Sequence, residues 1–115
     1  MAGYLKEVNI KADLPTVSEA LKRIESQIKT GKSLGTGAIK IIHGYGSTGK
    51  GGKIRHYARL YLEEQREKGR IRHVITGEKF SIFDGDTREA FRHCDELRRD
   101  SDLERHNNGV TIIVL

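Results

Sequence analysis

GAIKIIHGYGSTGKGGKIR, residues 37–55, decides how the chain is read. Ala38-Ile39-Lys40-Ile41-Ile42 is a brief apolar run rich in β-branched residues and bounded by glycines, the pattern of a buried strand. It leads into a loop with five glycines in nine positions: Gly44, Gly46, Gly49, Gly51 and Gly52. Glycine takes positive φ without strain and lets a ligand approach the backbone. A basic helix is expected next, over about 52–68. Its unpaired N–H groups and positive dipole end suit an anion. His43, Lys50, Lys53 and Arg55 add side chains that reach phosphate. This order of strand, glycine loop and basic helix points to phosphate handling.

The chain has 115 residues, a formal net charge of +5 and 32% charged residues. That composition suits a single α/β domain over 1–115, not a disordered tail. No apolar run approaches the roughly 18 residues of a membrane span, and the N-terminus has no signal-peptide pattern. The expected location is therefore cytoplasmic, with no membrane partner. Cys94 is the single cysteine, so no disulfide framework is expected and a reducing compartment fits. His43, His56, His73, His93 and His106 lack zinc-ligand spacing, and no metal site is expected. Charge is unevenly placed. Residues 50–72 hold eight Lys/Arg against three acids, whereas 84–105 hold eight acids against five arginines. A basic region beside an acidic one suggests a polyanion partner with a defined docking side.

Working outward, residues 4–10 read as a first strand. Thr16 and Glu19 form a capping box for a helix with Val17, Ala20, Leu21, Ile24 and Ile28 inward and Gly31 as its stop. In the helix after the glycine loop, Ile54, Tyr57, Ala58, Tyr61 and Leu62 form the expected buried stripe, and Lys53, His56 and Arg59 the exposed side. Gly69 ends it before a third strand at 70–76. Residues 77–108 read as an acidic helical insertion in which Asp86 caps a helix, with Glu89 as capping partner. Ala90, Phe91, Cys94 and Leu97 point inward, and Cys94 is a packed thiol. GVTIIVL, residues 109–115, is a final strand apolar enough to lie inside a sheet. The order β-α-β-α-β-insertion-β predicts a two-layer α/β sandwich with a mixed, mostly parallel four-stranded sheet.

Gly44–Lys50 satisfies the GxxxxGK of a nucleotide-binding P-loop, but Gly51 stands where a magnesium-binding Ser or Thr is needed. Neither 70–76 nor 109–115 carries the acid such NTPases use on the metal, which argues against an ATPase or GTPase. The glycine spacing fits a Rossmann site no better.

His43-Gly44-Tyr45-Gly46 at a strand end before a helix resembles the HGxG motif of the Smr (small MutS-related) domain family. The preceding KIIHG, the helix start GGKIR, the helix TVSEALKRIE and the final Gly109-Val-Thr111-Ile-Ile-Val-Leu115 extend the resemblance over most of the chain outside 77–108. The chain is thus read as a stand-alone Smr-like domain. The resemblance implies the α/β sandwich also found in the C-terminal domain of translation initiation factor three. It further implies binding of DNA or RNA, endonuclease activity in several members, and links to recombination control or ribosome rescue. The family's Leu-Asp-x-His motif on the first strand is degenerate here. Aligned by the strand, Asn9 and Lys11 stand at its Asp and His; aligned without a gap from Ala20-Leu21, Lys11 and Asp13 do. No histidine precedes His43 in either case.

His43 is the candidate catalytic residue, since an imidazole with pKa near 6.5 moves a proton at neutral pH. Lys11, Gly44, Tyr45, Gly46, Lys50, Lys53, Arg55, His56 and Arg59 are the candidate phosphate-binding residues. No cofactor is expected, and a divalent metal belongs only to the nuclease reading. Three readings stay open at this point. They are nucleic-acid binding with weak or absent cleavage, an active DNA or RNA endonuclease, and a protein-interaction module using the basic face.

Overall fold

The structure is a computed structural model that describes residues 3–44 and 50–115, the first two of the second stretch by backbone alone. Strand β1 (Leu5–Asn9) leads to α1 (Val17–Leu34), β2 (Ala38–Ile42), α2 (Lys50–Glu67) and β3 (His73–Thr76). A 3-10 turn (Gly77–Lys79), α3 (Gly85–His93) and a second 3-10 segment (Asp95–Arg99) then precede β4 (Val110–Val114).

The sheet order is β1-β2-β4-β3. β1 pairs parallel to β2, with Leu5 opposite Ala38, and β4 pairs antiparallel to both β2 and β3, with Val114 opposite Ala38 and His73. β1, β2 and β3 therefore run the same way, as helical crossovers require. Because β4 inserts between β2 and β3, only the β1–β2 pairing is parallel. The sheet is mixed, and "mostly parallel" describes its strand directions but not its pairings.

On one face Ile39, Ile41 and Ile113 pack against Ala20, Ile24 and Ile28 of α1 and Ile54, Ala58 and Leu62 of α2. This is the two-layer sandwich. On the other face Ala38, Ile75, Ile112 and Val114 meet Phe80, Ala90, Phe91, Cys94 and Leu97. Residues 77–108 thus add cover to the second face, which is why β2 and β4 are buried along almost their whole length.

Lys40 sits in the middle of that second face, buried on a central strand. Its Nζ donates to both carboxylate oxygens of Asp100 at 3.0 and 3.2 Å. It also pairs with Asp102 and, at 3.7 Å, with Glu7 of β1. Burial alone would lower the ammonium's pKa, but the hydrogen bonds to Asp102 and Asp100 outweigh it and hold the group charged. The ion cluster ties the 95–105 segment to the sheet.

Local expectations are corrected at three places. Thr16 and Glu19 do form the capping box, at 3.1 and 3.0 Å. Gly31, however, does not stop α1, which runs on to Gly35 at φ 75°. Gly31 is a packing glycine: a Cβ there would lie 2.7 Å from Leu115 Cδ1. The cap of α3 is Asp84 and not Asp86, because Thr87 presents its N–H to the Asp84 carboxylate at 2.9 Å. Glu89 instead lies beside Arg92 and His93. Tyr57 leaves the buried stripe of α2 and is exposed. The buried line is Ile54, Ala58, Leu62 and Gln65, four positions that track one side of the helix.

Candidate functional site

β2 ends by handing its chain to His43 and Gly44, and their two N–H groups share one acceptor, the Gly109 carbonyl, each at 3.0 Å. That shared bond fixes the start of the glycine loop against the start of β4. Gly44 adopts φ 80°, a left-handed conformation natural to glycine. The Lys11 side chain lies over it: a Cβ on Gly44 would be 3.3 Å from Lys11 Cδ. Lys11 is itself exposed, and its N–H donates to Asn9 Oδ1 at 2.9 Å, turning the chain out of β1.

The His43 side chain is completely buried. Nδ1 lies 3.0 Å from the Gly44 carbonyl and Nε2 lies 2.9 Å from Thr111 Oγ1. A carbonyl only accepts, so Nδ1 carries the proton and Nε2 accepts from the Thr111 hydroxyl. Thr111 Oγ1 in turn accepts from Arg59 Nε at 3.2 Å. Burial pushes the His43 pKa down to about 4, and nearby Arg59 and Arg55 add to the shift, against the Gly44 carbonyl and Glu78. The expectation of an ordinary imidazole near 6.5 is corrected: His43 is neutral at pH 7, with both ring nitrogens engaged inside the chain.

Arg59 is also placed differently from the sequence expectation. It is half-buried, and its guanidinium grips Glu78 in a bidentate pair at 3.0 and 2.8 Å. Nη2, which also donates to Glu78, reaches the Asn108 and Val110 carbonyls at 3.4 and 3.3 Å. It thus joins α2 to the 3-10 turn and to β4. Glu78 is held below the usual carboxylate range, chiefly by the Arg59 hydrogen bonds.

Sequence reading missed Thr111 as a functional partner, although a hydroxyl within the apolar TIIV is a visible signal. Glu78 and the Asn108 carbonyl carry no such signal, because only the fold brings them to Arg59. Of the other candidates, Lys53 and His56 are exposed and Arg55 is half-buried. Among the described residues no carboxylate pairs with Lys11, Lys53 or Arg55. Tyr45, Gly46 and the side chain of Lys50 lie outside the described residues. No group of three or more His, Cys, Asp or Glu among the described residues is arranged to hold a metal ion.

The class defined by these features is an α/β sandwich with a glycine loop at a central strand end and a basic helix after it. Its fold is that of an Smr domain. The chain is similar to the crystal structure of the Smr domain of Thermus thermophilus MutS2, with a TM-score of 0.59 over 96% of each chain and 21% sequence identity. No protein-family model and no curated protein matches the sequence.

Proposed function

We propose that this domain binds the phosphates of a nucleic acid at the C-terminal end of β2 and cleaves the strand weakly or not at all. The observation that carries this reading is the Lys11 side chain over the Gly44 backbone, next to a buried, neutral histidine that Arg55 of α2 approaches. Lys11, Lys53 and Arg55 supply cations with no carboxylate among the described residues in salt-bridge contact, which leaves them open to phosphate. A general base must lie within hydrogen-bond reach of the proton it takes. His43 offers neither an exposed nitrogen nor a suitable pKa, so its part is to hold the loop in shape. The degenerate first-strand motif, with no histidine before His43, agrees with that division. Arg59, engaged with Glu78 and Thr111, holds α2 against β4 and is not free for phosphate.

The test is duplex binding by fluorescence anisotropy over a salt series. Three phosphate contacts give a log–log slope of roughly −2.7. The charge reversals K53E and R55E, combined, should abolish measurable binding while leaving the circular dichroism spectrum unchanged. Unaltered affinity in the double variant would contradict the assignment. Fast cleavage of plasmid DNA or RNA by the unmodified chain, surviving His43→Ala, would contradict the second half of the proposal.

A further inference from the structure

The helix after the glycine loop carries an aromatic surface that its sequence pattern conceals. Tyr57 fits the apolar spacing of α2, yet it is 47% exposed, and Leu60 one turn on is 54% exposed. His56 stands beside Tyr57 edge-to-face, with ring centres 5.1 Å apart and planes at 72°. That contact restrains the tyrosine ring in a geometry aromatic pairs favour. Exposed Lys53 lies one turn before the pair, and Arg55 lies between it and His43 in sequence.

We infer that Tyr57, braced by His56 and flanked by Lys53, is a stacking site for an unpaired base of a single-stranded nucleic acid. The inference rests on the phosphate-binding reading above and narrows its ligand. Lys50 opens α2, so Tyr57 stands roughly 10 Å further along the helix at 1.5 Å per residue. Lys53 and Tyr57 share one face of α2 a turn apart, so a strand whose phosphate meets Lys53 brings a neighbouring nucleotide within reach of Tyr57. Single-strand sites pair cationic tracks with aromatic faces, since every base has a π-face to stack. In a duplex those faces are already stacked on one another, so Tyr57 gains little from paired bases. Phe83 is a more exposed aromatic, at 83%, but adjoins the 84–105 stretch, where eight acids face five arginines. A polyanion is repelled there, which sets Phe83 apart from Tyr57.

The experiment measures anisotropy of labelled U12, dT12 and a 12-base-pair duplex with the full chain and its variants. Y57A should weaken both single strands about tenfold and the duplex less than twofold. Y57F, which keeps the ring, should bind like the unmodified chain and so separates stacking from loss of the hydroxyl. The double variant K53E/R55E should lose all three probes. Equal losses on strand and duplex in Y57A, or no loss on either single strand, would overturn the stacking site while leaving phosphate binding intact. Failure of the unmodified chain to bind any probe would overturn both.

Discussion

Lys40 and His43 are three residues apart on and just beyond β2, both buried, and their charges are treated in opposite ways. The ammonium of Lys40 faces Asp100, Asp102 and Glu7, and its hydrogen bonds to Asp102 and Asp100 overcome the burial that would otherwise discharge it. His43 faces a hydroxyl and a carbonyl, with two arginines nearby, and burial brings its pKa down to about 4. Burial alone therefore does not decide ionisation; the partners do. The charged cluster ties the acidic segment to the sheet, while the neutral histidine joins the end of β2 to Thr111 of β4.

The sharpest way to break the comparison is at Lys40. Lys40→Ala leaves Asp100 and Asp102 without their cation and should cost about 3–5 kcal/mol by chemical denaturation. The triple variant K40M/D100N/D102N, which removes all three charges, should recover much of that loss. A single-variant cost below about 1 kcal/mol would mean the carboxylates are solvated and the cluster ties nothing down.

The two groups should also fail at opposite ends of the pH scale. The folded pKa of His43 lies below its unfolded value near 6.5, so the unfolded chain takes up that proton first. Its stabilising contribution is intact above pH 6.5 and falls by about 3 kcal/mol as pH drops to 4. The folded pKa of Lys40 is raised from 10.5, so its contribution is intact below that pH and is lost as pH rises through the folded value. Thermal melts across both windows measure the two limbs. His43→Gln, which takes up no proton, should flatten the acid limb between pH 6.5 and 4 and leave the alkaline one.

A smaller effect is expected at Thr111, whose hydroxyl serves both His43 Nε2 and Arg59 Nε. Thr111→Val keeps the shape and orphans both partners, at about 1–3 kcal/mol. The alkaline limb set by Lys40 should not move.

Elements governed by local pattern were legible in the sequence. Ala38–Ile42 and Val110–Val114 appeared as apolar runs, and Thr16 and Glu19 announced the start of α1. Features set by tertiary packing were not. Gly31 reads as a helix stop until Leu115 is seen filling the space its missing Cβ leaves. Tyr57 fits an amphipathic stripe, but the core reaches only one side of α2, and the ring falls off its edge. Arg59 reads as a solvated cation because Glu78 lies 19 positions away in sequence. At the site, the sequence supplied His43, Gly44 and the basic residues. It could not supply the burial that lowers the His43 pKa, because burial depends on β4 and α2 coming together around the ring.

The division of labour at the site turns on the protonation state of His43, and an NMR titration of the imidazole resonances measures it directly. The chain has five histidines, and the His43 signal is identified by its disappearance in His43→Gln. That ring should stay neutral, with the proton on Nδ1, until the pH approaches 4. Protonation of His43 near pH 6.5, with its ring proton exchanging freely with water, would contradict a structural histidine and return it to the position of an accessible acid–base group.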